Sequence, residues 1–130
     1  MAAREQAEQL AAVVEAAAHG ESDWEARLSA GLRAGLEFLA ADPPLARLLL
    51  VDSLAAPSRP EYERSLARLA EALRPPAELT AGEPVSDEIL RLQAGGLASY
   101  LSGRVLDGEA ERLPEDHDLL LKYLLVSSSA

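Results

Sequence analysis

From Trp24 onward the apolar side chains keep one beat, and that beat limits the fold more than anything else in the sequence. Trp24, Leu28, Leu32, Phe38 and Leu39 share one stripe of a 3.6-residue period, while Glu25, Arg33 and Glu37 fall outside it. The same period returns in Tyr62, Leu66, Leu69 and Leu73, with Glu61, Arg64, Arg68 and Glu71 on the wet side. The apolar residues are mostly Leu and Ala, which favour helices; Ile89, Phe38 and Trp24 are each the single residue of their kind. Strands draw on β-branched and aromatic residues, so a sheet is not expected and the fold class is all-α.

Prolines, glycines and capping residues cut this pattern into about six helices. The first is expected from Arg4 to His19, stopped by Gly20. Ser22 and Glu25 fit a capping box that opens the second. Asp42-Pro43-Pro44 ends that helix and starts a third, with Asp42 as cap, running from Pro44 to about Ala55 and apolar on most of its circumference. Ser58 to Glu61 offers another capping box, for a fourth helix to about Leu73. Arg74 to Pro84, with three prolines and a glycine, reads as a loop. Ser86 or Asp87 starts a fifth helix to about Asp107, ended by Gly108, and an acidic linker from Glu109 to Leu113 leads to a sixth over Glu115 to Val126. The tail from Ser127 to Ala130 is expected to fray. All 130 residues read as one domain.

The fifth and sixth helices have more apolar surface than one core can take. Leu90, Ala94, Leu97, Leu101 and Val105 lie on one side of the fifth, and Ile89, Leu92, Gly96, Ser99 and Gly103 on another. Around the sixth, Leu119, Leu120, Leu121, Tyr123, Leu124, Leu125 and Val126 point in every direction. Leaving several such side chains in water costs roughly 1.5–3 kcal/mol each. A second copy would cover them in a two-fold four-helix interface, close at Gly96, Ser99 and Gly103. Complete burial within one chain is the competing account. The pattern leaves open which face of the fifth helix would meet the partner.

These residues resemble a known family. Asp23-Trp-Glu-Ala-Arg-Leu, and then the run from Gly31 through Phe38-Leu-Ala-Ala-Asp-Pro-Pro-Leu-Ala-Arg-Leu-Leu-Leu-Val-Asp52, are similar to C-terminal domains of tetracycline-repressor (TetR) regulators. Val105-Leu-Asp-Gly-Glu109, Leu113-Pro114 and the Leu-rich end add to the likeness, which spans nearly the whole chain. The resemblance implies a homodimer through the last two helices, here Leu97, Leu101, Val105, Leu120, Tyr123 and Leu124. It also implies a pocket for a small apolar or amphipathic effector among the middle helices. Phe38, Leu49, Asp52, Tyr62, Leu66, Leu69, Leu92, Gly96 and Tyr100 are its candidates, because they lie on those helices' apolar faces. For each taken singly, ordinary core packing is the stronger account, and for Asp52 an arginine partner or plain exposure. In such regulators a helix-turn-helix reads the operator. Nothing ahead of the first helix resembles one, so DNA is expected to be reached only through a domain this chain does not carry.

Charge and residue inventory narrow the other classes. A formal net charge of −10, with no Lys/Arg cluster, disfavours direct contact with phosphates. Without cysteine there is no disulfide and no thiolate chemistry. His19 and His117 stand in no metal motif and are expected at the surface. Ser99 and Tyr100 have no evident base beside them, so neither catalysis nor a cofactor is expected. The longest apolar runs fall short of the roughly 20 residues that span a bilayer, and no signal peptide precedes them, so a cytoplasmic protein is expected. The rival to an effector-sensing dimerisation domain is a constitutive helical interaction module with no small ligand.

Overall fold

The computed structural model describes residues 2–55, 59–80 and 82–128. Among them there are six α-helices and no strand: α1 (Ala2–His19), α2 (Trp24–Ala40), α3 (Pro43–Leu50), α4 (Arg59–Ala72), α5 (Asp87–Leu106) and α6 (His117–Ser128). Three 3-10 turns, Asp52–Leu54, Ala77–Thr80 and Ala110–Asp116, fill the connections.

Local chemistry explains most of the boundaries. The Asp42 carboxylate accepts from the Leu45 amide at 3.2 Å, and Ser86 Oγ accepts from that of Ile89 at 3.2 Å, as their positions predict. At α2 the cap is Asp23 rather than Ser22: its carboxylate takes the Ala26 amide at 2.8 Å, so the helix begins one residue later than a Ser22 box requires. The fourth helix's expected cap, Ser58, lies outside the described residues. Gly108 follows α5 with φ at 77°, a left-handed conformation that a side chain would strain, and its amide returns to the Val105 carbonyl. Two elements differ from their expected bounds. α3 stops at Leu50 and turns through Asp52–Leu54, where Ser53 Oγ donates to the Leu48 carbonyl at 2.7 Å. The linker after α5 is wound into a 3-10 turn through Pro114, which delays α6 to His117; Ser127 and Ser128 belong to that helix.

The core has two lobes. In the larger, Leu36 and Leu39 of α2 meet Ala46, Leu49 and Leu50 of α3, Leu97, Leu101 and Val105 of α5, Leu113 of the turn and Leu120 of α6. In the smaller, Ala70 and Leu73 of α4 meet Leu90 and Ala94 of α5 and Leu124 of α6. α5 and α6 therefore serve both lobes, and Ser102 ties α5 to the end of α3 by donating to the Leu50 carbonyl at 2.7 Å. α1 lies against α2, where Gly31 and Gly35 leave room for Val14; a Cβ on either would stand 3.2 Å from a Val14 methyl. That close approach explains two glycines inside an apolar stripe, each of which costs about 1 kcal/mol of helix propensity.

Candidate functional site

α5 is tied to the turn before α6 at its carboxyl end and to α6 itself toward its amino end. Near the carboxyl end of α5, Arg104 Nε donates to Asp116 at 2.9 Å and the same guanidinium binds Glu109. Burial works against the Arg104 charge, but Asp116 and Glu109 more than offset it and hold the group in its charged form. Toward the amino end, the Gln93 amide donates to the Leu124 carbonyl at 3.4 Å. There the Tyr123 hydroxyl points at the Leu92 and Gln93 carbonyls, at 3.4 and 3.3 Å. Gly96 makes room for that hydroxyl, since a Cβ there would lie 2.5 Å from it.

This arrangement sends one apolar face of each helix inward and leaves the other in water. Leu97, Leu101, Val105, Leu120 and Leu124, expected between two copies, are buried in this chain's own core. They fill the space behind α2, α3 and α4, and of the six interface candidates only Tyr123 reaches the surface. The exposed face is the other one. On α5, Leu92 is 73% exposed and Leu106 57%, and on α6 Leu119 is 57% and Val126 62% exposed. Ile89 and Tyr100 flank them on α5. Leu92, Gly96, Ser99, Gly103 and Leu106 follow one another at intervals of 4, 3, 4 and 3, the spacing of a seam between two packed helices. Leucines stand at the ends of that seam and small residues in its middle. No Cβ contact lies within 4 Å of Gly103.

The effector-site candidates are not gathered into one cavity. Leu49 is buried in the larger lobe, and Leu66 and Leu69 pack partly buried on the smaller. Phe38 is half-buried on α2. Tyr62 is half-buried under the Arg59 guanidinium, 5.8 Å from its ring centre, and burial pushes its phenol up. Asp52 is exposed, with Arg47 Nε at 3.9 Å as its ionic partner. Leu92, Gly96 and Tyr100 belong to the outer face of α5. Leu66 and Leu92 share an open hollow of about 570 Å³ with Asp87, Glu88 and Arg91. A second open hollow, about 710 Å³, lies between the start of α2 and Pro75–Leu79 and holds none of the candidates. Trp24 forms part of its wall, with the indole nitrogen buried and without a hydrogen-bond partner.

No family model, curated protein or solved structure matches this chain. The site therefore stands on its own geometry.

Two features escaped the sequence pattern. Arg74, at the end of α4, binds Glu71 at 2.8 Å and Asp87 at 2.7 Å and donates to the Val85 carbonyl, closing the proline-rich loop onto α5. Its hydrogen bond holds the Glu71 carboxyl below the usual range. His117 is not at the surface but 4% exposed, because the 3-10 turn delivers the first residue of α6 onto Ser29 and Arg33 of α2. The Arg74 junction spans a loop, with Asp87 13 residues away, and the His117 junction joins residues 88 and 84 apart. Among the described residues no cluster of His, Asp or Glu could hold a metal ion, and no helix is long and apolar enough to cross a membrane.

Proposed function

We propose that this chain is a homodimerisation domain of a TetR-like transcriptional regulator, pairing with a second copy through the outer face of α5 and α6. The observation that carries the reading is the exposed seam from Leu92 to Leu106, flanked by Leu119, Tyr123 and Val126. Several large apolar side chains on one pair of helices favour a second surface that covers them. A two-fold axis near the middle of the seam would set Leu92 of each copy against Leu106 of the other, with small residues at the crossing. The resemblance of the sequence to TetR C-terminal domains supports the regulatory context, and the net charge of −10 supports leaving the DNA to another domain.

A second reading concerns the effector. The dispersal of Phe38, Leu49, Asp52 and Tyr62, and the openness of both hollows, favour a constitutive association module over a sensor. Sensing would require α4 to part from α5, opening space between Leu66, Leu69 and Leu92.

Native mass spectrometry of the protein as purified tests both readings. A mass near twice 13.8 kDa supports the association surface, and a reproducible small adduct favours the sensor. A monomer throughout the micromolar range refutes the dimer. A dimer that shifts with no member of a panel of apolar and amphipathic molecules leaves the constitutive module as the reading.

A further inference from the structure

The buried ring of His117 has more partners than any one of its proton states can serve. Nε2 lies 3.1 Å from the Ser29 carbonyl oxygen and 3.2 Å from Ser29 Oγ. Nδ1 lies 3.2 Å from Arg33 Nη2 and 2.9 Å from Asp118 Oδ1. Arg33 can only donate, so it needs a bare Nδ1; the Asp118 carboxylate can only accept, so it needs a proton there. With Nε2–H given to the Ser29 carbonyl, the neutral ring serves Arg33 and the doubly protonated ring serves Asp118. The charged groups bonded to the ring are Arg33 on α2 and Asp118 on α6 itself, and Asp116, the residue before His117 in the chain, is held by Arg104.

We propose that His117 is a proton-operated latch between α2 and α6. In the neutral state Nδ1 accepts from Arg33, and both ring nitrogens fasten the start of α6 to α2. A proton on Nδ1 puts a second cation against Arg33, expels it, and leaves the bond to the solvent-facing Asp118 of the same helix. One of the two ties to α2 is then gone. Because α6 carries Leu119, Tyr123 and Val126, the latch sets the footing of half the outer face. Any effect on pairing rests on the association reading above; the latch itself does not.

The test is long-range proton–nitrogen NMR of the imidazole rings through the pH range in which histidine titrates, roughly pH 5 to 8. His117→Gln assigns the signals. Above the titration the proton should sit on Nε2. Arg33→Gln should move the His117 midpoint upward and Asp118→Asn should move it downward, each by about 0.3 pH units or more. Both substitutions lie at exposed positions, so the fold is retained. Amide exchange at Leu121 and Lys122, corrected for intrinsic rates, should quicken as the ring protonates, and Arg33→Gln should already be quick at high pH. A proton on Nδ1 in the neutral ring, or a midpoint moved by neither variant, overturns the latch. So does equal exchange protection on both sides of the titration.

Discussion

The pair α1–α2 and the pair α5–α6 both place glycines on an apolar helix face, yet they treat the resulting space differently. In α2, Gly31 and Gly35 admit Val14 of α1, and the gap is filled from within the chain. In α5, Gly96 admits the Tyr123 hydroxyl from α6, while Gly103 faces nothing within 4 Å. The first pair is complete as a monomer. The second has its inner side packed and its outer side unfilled. A glycine in a helix is thus informative only with its neighbour: beside Val14 it accounts for a close approach, and at Gly103 nothing in the chain occupies the space.

The largest expected effect breaks the second pair without touching the first. Leu92→Glu with Leu119→Glu places four carboxylates in the two-fold interface, each costly to bury without a partner. Association should weaken by at least about a thousandfold, roughly 4 kcal/mol, in sedimentation equilibrium. Circular dichroism should stay unchanged, since both side chains are exposed in the single chain. An unaltered dimer would mean that the outer face is not the contact.

Next comes a contrast between one leucine from each region. Leu36→Ala removes a side chain that is 1% exposed at the heart of the larger lobe, and should lower unfolding stability by about 3 kcal/mol. Leu119→Ala should change it by less than about 0.5 kcal/mol, because the side chain has little packing to lose. Both are read by urea unfolding in a Leu92→Glu background, at a chain concentration low enough that pairing does not add to the apparent stability. Equal losses would show that Leu119 is packed within the chain after all, and the contrast between the two pairs would fail.

The sequence made some of this legible because it is local. The six helices, the caps at Asp42 and Ser86 and the stop at Gly108 follow from residues within a turn of the boundary. That α5 has two apolar faces is legible too, since the wheel needs only the sequence. Which face turns inward is not, because Leu97 and Leu92 are alike until Leu49, Leu50 and Leu113 claim one of them. The interface candidates Leu97, Leu101 and Val105 therefore fall on the side of α5 that the chain's own core covers. The effector candidates share apolar helix faces but not a common space, and a periodicity carries no information about where different helices converge. His117 was hidden for the same reason: its partners Ser29 and Arg33 stand 88 and 84 residues away.

A smaller effect sharpens the first pair. In Gly35→Val the Cβ stands 3.2 Å from a Val14 methyl, with the branched methyls beyond it, so α1 must move away from α2. Overpacking of this kind should cost about 1–2 kcal/mol in unfolding, after the gain in helix propensity is subtracted. Separation of α1 would appear as faster amide exchange along that helix, while the exchange of α5 and α6 stays as it was. Loss of protection in both pairs together would show that the two are not independent.

The smallest effect has two opposite signs in one residue. Gly103→Ala adds a methyl where nothing lies within 4 Å, on a helical backbone that an L residue adopts freely. The single chain, measured in the non-associating background, should gain about 0.5–1 kcal/mol from propensity alone. Association in the otherwise unchanged chain should weaken by a few-fold, because the same methyl sits where the seam would cross its copy. Gly35 cannot show this pairing of signs, since its Cβ already meets Val14. If Gly103→Ala stabilises the chain and leaves association untouched, the helices cross elsewhere on the outer face, and the leucines at its ends carry the contact. If it does not stabilise, the space beside Gly103 is already filled within the chain, and the distinction between a closed pair and an open one is lost.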